Sequence, residues 1–389
     1  MTVTTPAGFA ASGVPVGLKA NGNADLALVV NLGPEFAAAA VFTANRAKAN
    51  PIIWSQQVIA DGEVRAVVLN SGGANCFTGS EGFQTTHATA EKVASALAAH
   101  LGEEVSAGDI LVCSTGLIGD QLDRTKLLPG VDAAVAALTP TGGPDAARAI
   151  MTTDSKPKTA VVSRDGWSLG GMAKGAGMLA PGLATMLVVI TTDAIVPADE
   201  LDAALRSATR VSFDRLDSDG CMSTNDQVTL LASGASGVTP ESDDFAAALS
   251  EICRHLAGQL QGDAEGASHD ITIEVVGADT EDDAVEVGRS VARNNLFKAA
   301  AFGNDPNWGR VLAAIGTTHA AFDPYAVDVS MNGVRVCSDG GPDRPREEVD
   351  LTPRAMHVLI DLKSGSSTAT ILTNDLTHDY VHENSAYSS

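Results

Sequence analysis

Short apolar runs alternate with amphipathic stretches along this chain. Asp25 to Asn31 (DLALVVN) and Glu63 to Asn70 (EVRAVVLN) are β-branched and closed by turn residues, which predicts buried strands. Thr86 to Leu101 sets Val93, Leu97 and Leu101 on one helical face, with Gly102 where a C-cap belongs. Asp109 to Cys113 and Met186 to Ile190 read as further strands, and Pro197 opens a helix through Leu201 and Leu205. The clearest helix starts at Ser242 and repeats Phe245, Leu249, Ile252, Leu256 and Leu260 at three- and four-residue intervals. Ile271, Ile273 and Val275 alternate with Thr272 and Glu274, a half-buried strand, and Thr280 to Asp283 is a capping-box start. Asn332-Gly333 between Val327–Met331 and Val334–Val336 is the strongest hairpin signal.

Long helices mixed with isolated strands and hairpins predict a layered α+β (mixed α/β) protein. The chain shows no fixed-period repeat and no heptad run. The hairpin-rich stretch from about Ile271 is the best candidate for a separate, smaller domain. A length of 389 residues suits two or three domains, and 44% hydrophobic residues suffice for their cores. The net charge of −23 argues against wrapping nucleic acid or docking on an anionic membrane. No apolar run approaches a membrane span, and the first residues lack an export signal, so a cytoplasmic location is expected. Five cysteines without a C-x-x-C pair suggest neither a disulfide framework nor a cysteine zinc site. His378 and His382 stand four residues apart without an acidic base between them, and read as solvated tail histidines rather than metal ligands.

Three motifs invite chemistry. Gly166-Trp-Ser168-Leu-Gly170 fits the nucleophile-elbow pattern, but such an elbow needs a helix after the serine. Here glycines follow, and Arg164-Asp165-Gly166 reads as a hairpin turn after the strand Thr159–Val162. Asp217-Ser-Asp219-Gly220-Cys221 lacks the ligand types of a calcium loop, and reads as a turn before the strand Val228–Leu231. Lys174-Gly-Ala-Gly177 through Pro181 to Thr185 matches neither phosphate-binding pattern. By composition it is a loop entering a buried strand.

Taken together, a longer set of segments carries more. Met151-Thr-Thr-Asp154, Gly170-Gly-Met-Ala-Lys174-Gly-Ala-Gly-Met-Leu-Ala-Pro181 and Leu183-Ala-Thr185-Met-Leu187 stand in one order with Cys113-Ser-Thr115-Gly116-Leu-Ile-Gly119. Asp263-Ala-Glu265-Gly266, Phe302-Gly-Asn-Asp-Pro-Asn-Trp-Gly-Arg310 and the terminal Glu383-Asn384-Ser-Ala-Tyr-Ser-Ser389 complete the set. This set resembles the ornithine acetyltransferase (glutamate N-acetyltransferase) family of arginine biosynthesis, from about Gly17 to the last residue. Two departures are visible: Asn75-Cys76-Phe77 replaces the more usual asparagine-alanine-cysteine, and Cys221-Met222 occupy a normally small, polar position. Neither falls on the family's site residues; Cys76 bears only on packing near them.

The resemblance implies an αββα sandwich of the N-terminal-nucleophile aminopeptidase-like type with a smaller C-terminal α/β domain. It also implies self-cleavage between Ala184 and Thr185. The products would be an α fragment, 1–184, and a β fragment, 185–389, whose tail returns to the active site. They would associate as an α2β2 heterotetramer. Thr185, once N-terminal, would be the nucleophile. Its own amine, with a reference pKa of about 7.7–8.0, is the base that an internal threonine lacks. Thr115 and Gly116 would form the oxyanion hole, and Thr152, Lys174, Thr185, Glu265, Asn384 and Ser389 would bind substrate. The chemical types fit an amino-acid substrate, Lys174 for an α-carboxylate and Glu265 for a δ-ammonium. The implied reaction is ping-pong transfer of acetyl from N-acetylornithine to glutamate, with no metal and no cofactor. Some members also use acetyl-CoA, and no feature of the sequence decides that point. Two other readings stay open: an aminopeptidase or amidohydrolase of the same fold that passes the acyl group to water, and a non-catalytic binding paralogue.

Overall fold

The computed structural model describes residues 2–180 and 186–386. Among these the strands form three sheets. The first runs Phe9–Val14, Leu26–Asn31, Ala66–Asn70, Ile110–Ser114 in space, antiparallel except for the last, parallel pair. The second runs Ala38–Phe42, Gln227–Ala232, Leu187–Thr192, Trp167–Lys174, Lys158–Arg164. These two sheets lie face to face, and strand alternation divides their side chains between two layers of core. Val29, Val67, Leu69 and Leu111 meet Met172, Leu187, Val189 and Leu231 between the sheets. The intervening residues Leu26, Leu28, Val30, Val68 and Val112 point outward under the helices Gly79–Leu101 and Arg124–Ala136. On the far side Val188, Ile190, Val228 and Leu230 pack against the helices Ala198–Arg210 and Ser242–Gln261.

The result is the predicted αββα sandwich. Strands covered on both faces need apolar residues at consecutive positions, which is why their sequences are continuous rather than alternating. Each fully buried Val, Leu or Ile contributes roughly 1.5–3 kcal/mol. The core between the sheets draws Leu111 and Met172 from before position 185 and Leu187 and Leu231 from after it.

The third sheet holds the strands Asp270–Ala278, Asp328–Met331, Val334–Ser338, Gly341–Pro342, Ala355–Asp361 and Ser367–Asn374. It buries Ile271, Ile273 and Val275 in a core of its own with the helices Glu281–Ala292, Asn295–Phe302 and Trp308–Ile315. Thr280 caps the first of these by accepting from Asp283 N–H at 3.1 Å. Asn332 and Gly333 turn the hairpin at φ +44° and +81°, the left-handed pair that a two-residue turn requires. The last strand then hands the chain back to the sandwich, where the helix His378–Ala386 ends the described residues. Among the described residues no helix is long and apolar enough to cross a membrane.

Two helices depart from expectation. The one predicted from Thr86 begins at Gly79, because Thr85, Thr86 and Thr89 are buried with their hydroxyls donating to carbonyls four residues back. Satisfied in this way, threonines pass for apolar. Arg124–Ala136 was not foreseen, since Pro129 stands inside it. Ser168 lies in the second strand of a hairpin turned at Asp165-Gly166, its hydroxyl donating to Asp193 Oδ2 at 3.1 Å. It is no elbow.

Candidate active site

The first sheet supplies one corner of the site. Beyond the strand Ile110–Ser114, Thr115 N–H donates to Asn70 O and Thr115 O accepts from Gly73 N–H, both at 2.9 Å. Asn70 locks the corner, accepting from Ser114 Oγ at 2.6 Å and donating to Gly73 O at 3.0 Å. Gly116 follows at φ +122°, and a Cβ there would stand 2.8 Å from Gly73 N. Only glycine fits so close to a second backbone.

The second sheet supplies the facing corner. Lys174 ends the strand Trp167–Lys174, is 2% exposed, and its Nζ lies 3.3 Å from Thr115 Oγ1. Burial lowers its pKa, while Asp154, Asp226 and Glu265 pull it back up and Lys158 opposes them. Asp154 organises this corner. One oxygen accepts from Gly175 N–H at 2.7 Å, the other from Thr152 N–H at 2.9 Å. Lys158, also fully buried, bridges Asp154 at 2.6 Å and Asp263 at 2.5 Å. Burial works against the Asp154 charge, but Lys174, Lys158 and the Gly175 N–H outweigh it and hold the carboxyl at about 2.

The third corner comes from the chain's far end. Glu265 Oε1 accepts from Thr153 Oγ1 at 2.7 Å and Oε2 from Asn384 Nδ2 at 2.9 Å. The tail helix reaches it through Thr377, whose hydroxyl donates to Gly266 O at 2.6 Å. A Cβ on Gly266 would stand 2.2 Å from Tyr380 N, so glycine there lets the helix dock. Between the corners lies a cavity of about 470 Å³ lined by Thr115, Gly116, Thr152, Lys174, Glu265 and Asn384. A polar cleft of that size fits a small molecule. A second cavity, about 460 Å³, lies beside Arg215 and Glu281, but there Arg215 is already paired with Glu281.

Six residues expected from the sequence thus share one cavity. Thr185, Ala184 and Ser389 lie outside the described residues. Met186, next to position 185, precedes the strand in which Leu187 is registered against Lys174. Cys221 and Met222, which depart from the family pattern without falling on its site residues, line the same cavity. The turn that carries them, closed by Cys221 N–H onto Asp219 Oδ1 at 3.0 Å, is both a turn and a wall of the site. Asp219, Thr153 and Tyr380 also line it and had been given no role. The Asx geometry of Asp217–Cys221 marked the turn, but no sequence signal marked the others. Among the described residues no group of three or more His, Cys, Asp or Glu side chains could hold a metal ion.

Two facing sheets between helix layers, with a small polar pocket at the ends of their strands, define an αββα sandwich protein with a cleft for a small molecule. The chain belongs to the ArgJ family, whose model matches residues 10–389. It is 64% identical over 389 residues to the arginine biosynthesis bifunctional protein ArgJ of Streptomyces avermitilis, covering all of both chains. Identity to the protein of the same name from Streptomyces coelicolor is 63%, again over both full lengths. Among solved structures, the ornithine acetyltransferase of Mycobacterium tuberculosis complexed with ornithine is 54% identical. That match covers 48% of this chain and 96% of the other, with a TM-score of 0.46.

Proposed function

We propose that this protein transfers the acetyl group of N-acetylornithine to glutamate, through an acetyl ester on Thr185, in arginine biosynthesis. The observation that carries this reading is the convergence of Thr115, Gly116, Thr152, Lys174, Glu265 and Asn384 on one cavity from distant parts of the chain. The chain first cuts itself before Thr185, freeing the α-amine. That amine takes the proton of Thr185 Oγ as the oxygen attacks the acetyl carbonyl. Thr115 and Gly116 stabilise the oxyanion, worth about 2.7–4 kcal/mol for one donor of such a hole. The carbon–nitrogen bond breaks, and the same proton leaves with the α-amine of ornithine. Glutamate then attacks the ester through its neutral amine, the ester carbon–oxygen bond breaks, the proton lost by the attacking nitrogen returns to Thr185 Oγ by way of the α-amine, and N-acetylglutamate departs.

Lys174 suits the substrate's α-carboxylate and Glu265 the δ-ammonium, with Thr152, Asn384 and Ser389 completing the substrate contacts. The relatives' description as bifunctional supports a second acetyl donor, and acetyl-CoA is the one the family resemblance implies. Fragments 1–184 and 185–389 share the core between the sheets, which supports their staying together without a disulfide; the α2β2 assembly and the cytoplasmic location rest on the family resemblance alone.

The test incubates purified protein with N-acetylornithine and glutamate, and follows ornithine, N-acetylglutamate and acetate. Equal release of ornithine and N-acetylglutamate is expected. Acetate in place of N-acetylglutamate would make the protein a hydrolase and overturn the reading.

A further inference from the structure

The cavity of the site carries an imbalance of charge. Of the described residues lining it, Lys174 is the one lysine or arginine, whereas Asp219 and Glu265 are both carboxylic acids. Glu265 commits its two oxygens to neutral donors, Thr153 Oγ1 and Asn384 Nδ2. Asp219 commits its own to backbone, Oδ1 accepting from Cys221 N–H at 3.0 Å and Oδ2 from Met178 N–H at 2.8 Å. Among the described residues neither acid forms an ion pair. Lys298 acts on Asp219 through its charge, but its Nζ donates to Ser218 O, Thr373 Oγ1 and Asn374 O.

Met178 follows the strand that ends at Lys174, and Cys221 belongs to the turn 217–221, so two separate segments fix the Asp219 carboxyl. An ionised carboxylate offers about four acceptor sites, and the two N–H bonds leave room for a further donor. The charged and titratable groups facing it are Lys298, Glu265, Cys221 and Tyr380, the last from the tail helix. Burial raises the Asp219 pKa and Glu265 adds to that, while the two N–H groups and Lys298 pull it down. A cation arriving in the cavity favours the ionised form of both acids. In the proposed reaction both substrates react at the α-nitrogen, and both carry an α-carboxylate suited to Lys174. Their side chains therefore enter the same end of the cavity, one tipped with an ammonium and the other with a carboxylate.

We propose that Asp219 is a specificity-determining residue that selects the acetyl donor: together with Glu265 it receives the δ-ammonium of N-acetylornithine. The proposal rests on the acetyltransfer reading above and adds a second carboxylate for the donor's cationic chain. N-acetylornithine brings one carboxylate and one ammonium, which Lys174 and the two acids complement. The same acids oppose the γ-carboxylate of glutamate. Asp219 therefore favours the half-reaction that loads the enzyme and hinders the one that unloads it.

Initial rates of the ping-pong reaction give kcat/KM for each substrate separately, and the test compares Asp219→Asn with wild type. Asparagine keeps an acceptor for one of the two N–H groups and removes the charge. For N-acetylornithine, kcat/KM should fall about 30-fold, the loss of one hydrogen bond between charged groups. For glutamate it should rise about threefold, because a like charge has left. Opposite signs separate selection from a merely structural role, which would depress both half-reactions together. If the ratio of the two constants falls by less than about tenfold, the proposal is overturned, whatever the separate values. If Asp219→Asn gives no folded protein, Asp219→Glu takes its place. Its carboxylate reaches one methylene further. Preference should then shift at least about tenfold from N-acetylornithine toward N-acetyl-2,4-diaminobutyrate, the homologue one methylene shorter. An unshifted preference overturns the proposal. Wild-type transfer, measured alongside, keeps two failures apart. A wild type that forms no N-acetylglutamate removes the acetyltransfer reading itself, whereas an active wild type with an indifferent variant overturns only the role of Asp219.

Discussion

Replacing Asp154 by asparagine removes the anion between two buried lysines. The carboxylate accepts Thr152 N–H and Gly175 N–H on separate oxygens and also takes Lys158 Nζ. Asparagine offers one acceptor, so in either orientation its NH2 faces a backbone donor. Lys158 keeps Asp263, but Lys174 loses the strongest partner opposing its burial. The Asp154 carboxyl is held at about 2 against an ordinary 3.8. At about 1.4 kcal/mol per pKa unit, that depression corresponds to about 2 kcal/mol of stability. Breaking a buried pair from one side costs about 3–5 kcal/mol, which sets the upper end. A loss of about 2–5 kcal/mol is therefore expected, a thermal midpoint lower by several degrees.

The sign with pH follows from the depressed value. The stability Asp154 contributes is fully present above the unfolded value of 3.8 and is lost as pH falls through about 2. Melting wild type and Asp154→Asn in parallel should show a gap that is constant near neutrality and closes between those two values. Turnover at pH 7 should fall as well, with KM for N-acetylornithine raised, because Lys174 without the Asp154 charge beside it is less able to keep the proton that a substrate carboxylate pairs with. A variant that melts with wild type at pH 7, or a gap that widens toward acid, would refute this account of the corner.

Gly116→Ala should lower kcat about 100- to 1,000-fold with little change in KM, the loss of one oxyanion donor, because its Cβ would press on Gly73 N; steady-state kinetics check it, and a twofold effect would contradict it. Deleting residues 384–389 should remove the Asn384 contact to Glu265 and cut kcat/KM at least about tenfold, roughly the 1.4 kcal/mol of one such contact, while leaving the melting curve nearly unchanged, since the residues cut away are exposed or terminal.

The layered α+β character was legible because the strands are apolar on both faces and the two longest outer helices, Gly79–Leu101 and Ser242–Gln261, keep a helical period, whereas the αββα arrangement came only from the family resemblance. What escaped was whatever stability came from satisfied polar groups. Thr85 and Thr86 read as polar yet are buried by bonds to their own helix. Lys158 reads as a surface charge yet sits at 0% exposure between two aspartates. Of the site, the backbone devices left traces in sequence: Gly116 at its left-handed φ, and the glycine beside Glu265. Asp219 and Tyr380 are ordinary residues brought to the cavity by where the chain folds, and spacing alone carries no sign of that.

The central claim is that Thr185 becomes an N-terminal nucleophile by cutting the bond before it. The intact mass of the purified, active protein under denaturing conditions tests this most directly. The account predicts that the 39.7 kDa chain runs as two pieces of about 19 and about 21 kDa, in proportion to their lengths. Edman sequencing of the second should begin at Thr185. Thr185→Ala should give one uncut, inactive chain, since both steps need Oγ. A wild-type enzyme that transfers acetyl at full rate as a single uncut chain would contradict the mechanism outright.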